Sequence, residues 1–277
     1  MPTVPVEYLW LAAALVAAGV ISGFLAGFFG IGGGAPIVFA LYETFRALGV
    51  SDAVRMHICI GSALAVMVPT AVVSYLGHRK RGSVDDTIAK AWALPVVLGV
   101  AAGSGVAAVA SQAALKLVFA VLAALNGVKM LSNRLTWRLG RDTPTLPETA
   151  AAGFVTGLLS SLMGIGGGVF GNMFLSLYGR PMHQVVGTSA SLGVLIGVAG
   201  TIGYMVAGLP HEGALPFGSI GFVSLPALLL VAPLAALCAP LGVRIAHRFS
   251  PQRLKQAFGV FLLVLSARFW ASLAFGV

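Results

Sequence analysis

A six-residue stretch, Phe29-Gly30-Ile31-Gly32-Gly33-Gly34, returns as Met163-Gly164-Ile165-Gly166-Gly167-Gly168, an offset of 164 − 30 = 134 residues in a chain of 277. Each copy follows an apolar run of helix length, Tyr8 to Phe28 and Thr149 to Leu162. Each precedes a shorter apolar run of about a dozen residues, where a membrane span needs roughly 20. A glycine cluster between a long and a short apolar segment reads as a break in a membrane helix. Breaks at corresponding places in two halves of a chain point to the binding site of a transporter.

Composition agrees with a membrane setting. Hydrophobic residues make up 58% of the chain and charged ones 9%, against about 25% charged in soluble domains. Mean hydropathy is +0.97, and a water-soluble fold is excluded. The net charge of +9 does not require nucleic acid, because the basic residues lie in short loops between apolar runs, as the positive-inside rule produces. Cys59 and Cys238 stand alone in apolar segments, so neither a disulfide framework nor a metal site is expected. The stretch before the first run has no basic character, and that run reads as a retained span rather than a signal peptide.

Ten apolar segments are expected, at 8–28, 36–47, 56–77, 90–110, 113–132, 149–163, 169–179, 184–207, 219–243 and 254–275. Basic loops follow the third, fifth and ninth segments: His78-Arg79-Lys80-Arg81; Arg134, Arg138 and Arg141; and Arg244, Arg248, Arg253 and Lys255. These loops read as cytoplasmic, and counting back places both termini outside. Arg46 and Arg55 are exceptions on the outer side. The parity holds whether segments 1–2 and 6–7 cross fully or form re-entrant hairpins. His57 through Ala63 matches His183 through Ser189, Leu94-Pro95 matches Leu225-Pro226, and Lys116 and Lys129 match Lys255 and Arg268. Each half thus holds five segments, and an odd number inverts the second half relative to the first. The expected fold is an all-α membrane protein of two inverted five-segment repeats with broken or re-entrant helices at the GxGGG motifs. Its parts are repeat 1 at 1–132, a cytoplasmic linker at 133–148 and repeat 2 at 149–277, forming one integrated transmembrane domain.

Glycine lets a ligand approach backbone amides closely, and each short segment starts at a cluster, with its positive dipole end at the break. Gly32, Gly33, Gly34, Gly166, Gly167 and Gly168 are therefore candidate anion ligands through their backbone. The alternative is helix packing, since Gly30/Gly34 and Gly164/Gly168 are also GxxxG pairs. Ser62, Thr188 and Ser189 lie about two turns into their helices, where hydroxyls donate to an oxyanion or bond back to their own helix. His57 and His183 open the same helices and serve either as proton-linked groups or as interfacial side chains. Lys116, Lys129, Lys255 and Arg268 lie within about two turns of a surface, where snorkelling accounts for them; the symmetry of Lys129 and Arg268 also fits drawing anions into a vestibule. Glu43 has no acidic counterpart, Leu177 standing in its place. It is a candidate coupling carboxylate or an interfacial partner of Arg46.

The doubled GxGGG, with a Gly-(Ser/Thr)-(Ser/Ala) signature opening the following helix and a Gly82-Ser83-Val84-Asp85 loop after the third segment, resembles the TauE/SafE sulfite exporter family. The resemblance covers the whole chain. It implies a bacterial inner-membrane permease for small sulfur anions such as sulfite or organosulfonates, with export as the expected direction. Members of that family carry a proline about five residues after the glycine triplet; here Phe39 and Met173 stand there, with Pro36 displaced and Asn172 alongside as a further candidate ligand. No cofactor, enzyme activity or nucleic-acid partner is expected; the partners are a small anion and the bilayer, and a homo-oligomer is left open. An anion channel, or a transporter of another small carboxylate or oxyanion, is the alternative.

Overall fold

The computed structural model describes residues 6–29, 34–132, 145–246 and 248–275. Among these, ten α-helices follow one another: α1 (Val6–Phe29), α2 (Gly34–Ala47), α3 (Asp52–Lys80), α4 (Asp86–Val109), α5 (Gln112–Leu131), α6 (Leu146–Met163), α7 (Gly168–Ser176), α8 (Met182–Gly208), α9 (Leu225–Ala246) and α10 (Pro251–Phe275). Six of them, α3, α4, α5, α8, α9 and α10, are long and apolar enough to cross a membrane. The chain is an all-α, multi-pass membrane protein. Its outer surface has the matching polarity: Leu94 and Val109 on α4, Leu229 and Leu237 on α9 and Val264 on α10 are exposed, while Ser62, Ser104, Thr188 and Ser189 are buried.

Local chemistry sets the helix ends. The hydroxyl of Ser111 accepts from Ala114 N and opens α5. Thr145 and Glu148 exchange bonds in a capping box, so α6 starts at Leu146 rather than at 149 as the apolar pattern predicts. The ninth apolar segment is also shorter than its sequence. Gly218 and Gly221 adopt positive φ, and residues 219–224 form a two-rung antiparallel ladder, β1 (Ser219–Ile220) and β2 (Val223–Ser224), before α9 begins.

Helices far apart in the chain pair with one another. α1 lies on α9 and α6 on α4, while α3 pairs with α8 and α5 with α10. Small residues make the first two contacts close: a side chain at Gly23 would overlap the Ala235 backbone, and one at Gly157 would overlap the Val96 carbonyl. The two contacts correspond at offsets of 157 − 23 = 134 for the glycines and 235 − 96 = 139 for the backbones they meet. They equate Pro95 with Leu234, not with Pro226 as the Leu-Pro dipeptides suggest. Connections segregate to two ends. The α2–α3 and α4–α5 turns meet the α8–α9 connection at one end. The α3–α4 loop, the α7–α8 turn and the start of α6 meet at the other.

Candidate functional site at the second helix break

The break between α6 and α7 begins with a backbone device. Gly164 takes the left-handed conformation, φ 65 and ψ 29, and its N–H bonds to Ser160 O. Ile165 N also donates to Ser160 O, at 3.1 Å. This αL glycine ends α6, and the chain turns into the nine residues of α7. The break reaches the other half: a Cβ at Gly34, the first residue of α2, would lie 2.5 Å from Gly164 O and 2.6 Å from Ile165 Cα. The start of α2 thus packs directly on the second break. Gly32 and Gly33 lie outside the described residues.

The described glycines divide by surroundings. Gly34 and Gly167 are packing positions, Gly167 facing Leu192 Cβ at 2.7 Å and Ile196 at 2.9 Å. Gly166 and Gly168 are less crowded: among the described residues the nearest atoms to an added Cβ are the Met67 sulfur at 3.5 Å and the Asn172 side-chain nitrogen at 4.0 Å. Around this break, Ser160 Oγ, Ser189 Oγ and Asn172 Oδ1 are buried without a hydrogen-bond partner. Ser189 Oγ lies 2.8 Å from where a Cβ on Gly171 would stand, which places it against α7 beside Asn172. Trp92 Nε1, also buried and unpartnered, belongs to a ring packed on Phe174 further along α7.

Ser62 and Thr188 already hold protein partners. Ser62 Oγ accepts from Ser224 N at 2.9 Å, and Thr188 Oγ1 accepts from Asp85 N at 3.0 Å. The residues before them complete two matching clasps: a side chain at Gly61 would strike the Phe222 carbonyl, and one at Gly187 the Ser83 carbonyl. Each bond uses a lone pair and leaves the hydroxyl hydrogen. The sequence signal was present, since Gly82-Ser83-Val84-Asp85 recurs as Gly221-Phe222-Val223-Ser224. A longer α8–α9 connection displaces the match to 221 − 82 = 139, away from the 187 − 61 = 126 of the preceding helix.

The titratable candidates are scattered. His57 is buried, its Nε2 3.1 Å from both Ala107 O and Ala110 O; since carbonyls only accept, that nitrogen carries the hydrogen. His57 also stacks on Phe222 at 4.8 Å. His183 is exposed at the opposite end. Glu43 and Arg268 come together as an ion pair at 2.9 Å, with Arg46 on the same carboxylate at 3.4 Å. Lys129 is half-buried in the last turn of α5.

Lys116 corrects the snorkelling expectation, being only 4% exposed. Its Nζ donates to Asp52 Oδ1 at 3.2 Å and to Ser272 Oγ at 3.2 Å, and it stands 5.4 Å from the centre of the Tyr42 ring. Gln112 Nε2 donates to the same carboxylate at 2.6 Å. Side chains from α2, α3, α5 and α10 are thereby tied at one end of the bundle. Its repeat counterpart Lys255 is exposed. Sequence reading missed this network because Asp52 looked like a loop residue and the partners lie 60 and more positions apart.

No group of three or more His, Cys, Asp or Glu able to hold a metal occurs among the described residues. The family model described as sulfite exporter TauE/SafE matches residues 15–269. A relative from Haemophilus influenzae, named a probable membrane transporter protein, is 30% identical over 249 residues, covering 90% of this chain and 94% of its own. Another of that description from Methanocaldococcus jannaschii is 28% identical over 259 residues, covering 90% and 91%. No solved structure matches the chain. With the start of α2 packed on the α6–α7 break inside an apolar-surfaced helical bundle and this family match over residues 15–269, the chain belongs to the TauE/SafE sulfite exporter family of membrane proteins.

Proposed function

We propose that this protein is a secondary transporter that exports a small sulfur oxyanion or organosulfonate across a bacterial cytoplasmic membrane. In this reading the anion binds at the N-terminus of α7, between two inverted five-helix halves, and both chain termini face outward. The observation that carries it is the N-terminus of α7 at a break where, among the described residues, Gly166 and Gly168 are the least crowded, with the buried, unpartnered hydroxyls of Ser160 and Ser189 on the neighbouring helices. A buried polar group without a partner costs stability, and an oxyanion supplies the missing acceptors for the hydroxyls. The α7 dipole adds attraction without placing a lysine in the membrane. Sulfur chemistry comes from the family description alone.

Export has a simple driving force. With the cytoplasm negative, moving one negative charge outward gains about 2.3 kcal/mol per 100 mV, so a uniporter suffices. Purified protein in liposomes should release sulfite, thiosulfate or methanesulfonate with saturable kinetics. Flux that never saturates would assign a channel, and absence of flux with every anion would overturn the reading. Orientation is checked in a Cys59→Ala/Cys238→Ala background. Arg81→Cys should react only from the cytoplasm and Glu212→Cys only from outside; the reverse pattern would overturn the proposed topology.

A further inference from the structure

The helices that follow the two short ones, α3 and α8, correspond at the offset of 126, and one face of each has very different surroundings. On α3 this face carries Met67, Thr70, Ser74, His78 and Arg81, spaced three or four residues apart and so stacked along one side of the helix. Four of the five are polar, in a membrane helix whose opposite side holds Pro69, Val72 and Leu76. Ser74 and Arg81 are exposed, and Thr70 and His78 are half-buried. Gly77, beside them, is exposed, and among the described residues an added Cβ there would meet nothing within 4 Å. The polar side of α3 thus borders open space from Arg81 to Ser74, and in part to Thr70.

Met67, one turn beyond Thr70, is where this face touches the second break. It is 1% exposed. Its Sδ lies 3.5 Å from where a Cβ on Gly166 would stand, and its Cε 3.6 Å from the same point on Gly197 of α8. An unbranched, flexible side chain of this kind changes rotamer without moving a backbone. The same face of α8 is shut. Its residues are Gly193, Ile196, Gly200 and Tyr204, each 126 positions on. A Cβ on Gly193 would lie 3.4 Å from Ala71 Cβ, and one on Gly200 2.8 Å from Leu64 Cδ1. Ile196 and Tyr204 are 0% exposed, and Tyr204 OH donates to Ser161 O at 3.1 Å. Gly203, the counterpart of the open Gly77, would press a side chain onto Ser104.

We infer that the α3 face from Arg81 to Thr70 is the aqueous route by which the anion reaches the break from the side of the α3–α4 loop, and that Met67 is the gate at its inner end. This rests on the transport reading above and adds to it a route and a gate. Arg81 sets a cation at the mouth, where an anion enters, and Ser74 and Thr70 line the way with hydroxyls. The structure is open on the α3–α4 side and closed on the α8–α9 side, where the contacts of Gly203 and Tyr204 must part for the anion to leave.

The test uses the Cys59→Ala/Cys238→Ala background and the membrane-impermeant anionic reagent 2-sulfonatoethyl methanethiosulfonate, applied to vesicles from the side on which Arg81→Cys reacts. Ser74→Cys should react at least about tenfold faster than Leu76→Cys on the opposite face, because a thiol in water ionises to the nucleophilic thiolate and one in lipid does not. Equal rates, fast or slow, overturn the route. For the gate, Gly166→Cys should react slowly when residue 67 is Met or when Met67→Leu keeps its volume. With Met67→Ala it should react at least about tenfold faster, as water reaches the thiol; if that variant folds poorly, Met67→Val is read in its place. A rate at Gly166→Cys that does not depend on residue 67 overturns the gate. These rates need no substrate, so the transport reading fails separately, by absence of anion flux in liposomes.

Discussion

The second break presents Ser160, Asn172 and Ser189 where the first half has Ala26, Val38 and Ala63. Yet the contacts that hold the halves together recur pairwise. Gly61 and Gly187 receive carbonyls, Ser62 and Thr188 receive amides, and Gly23 and Gly157 admit neighbouring backbones. The contacts that recur are those where close backbone approach tolerates little change, and the side chains that differ are the ones beside the second break.

The largest effect is expected at the clasps. Gly61→Val and Gly187→Val force a branched side chain into the carbonyl of Phe222 or Ser83. Each should cost about 3 kcal/mol, the upper end for overpacking, read as lost monodispersity and a lowered melting temperature. Equal losses sharpen the equivalence of the clasps; tolerance of one variant breaks it.

The two ends of the bundle differ next. Asp52→Ala leaves the Lys116 ammonium buried with only Ser272 Oγ and the Tyr42 ring, and should destabilise by about 1–2 kcal/mol, since the carboxylate it loses is itself largely solvated. Lys255→Ala, at the exposed counterpart, should stay within about 0.5 kcal/mol. Similar thermal shifts for the two would contradict the asymmetry.

Ser62→Ala and Thr188→Val strand the amides of Ser224 and Asp85 and should each cost about 1–2 kcal/mol. A large loss of anion affinity without that loss of stability would instead make these hydroxyls ligands, as the sequence pattern suggested.

The smallest stability effect is expected at Gly168→Ala. Among the described residues its Cβ meets nothing closer than 4.0 Å, so the melting temperature should hold, within about 0.5 kcal/mol of wild-type stability, while anion binding weakens. Gly167→Ala, pressed on Leu192, should do the reverse. Equal behaviour of these neighbours would remove the distinction between cradle and packing glycines.

The sequence by itself determined the helices and their order. Ten apolar segments became ten helices because segment length, capping residues and glycine breaks are local properties, legible within a turn or two of chain. It also marked the second break itself, through the glycine run that ends α6 at Gly164. Partnership was decided only in three dimensions. Nothing local distinguishes Ser160 from Ser161, yet one hydroxyl is occupied by Leu158 O and the other has no partner. Lys116 reads as a snorkelling lysine until α3 and α10 bring Asp52 and Ser272 to it. Ser62 reads as a free donor until the loop of the other half lays an amide on it. Hydrogen-bond satisfaction is a property of the closed assembly, because which polar groups remain unpaired depends on which backbones, far apart in sequence, come within about 3 Å.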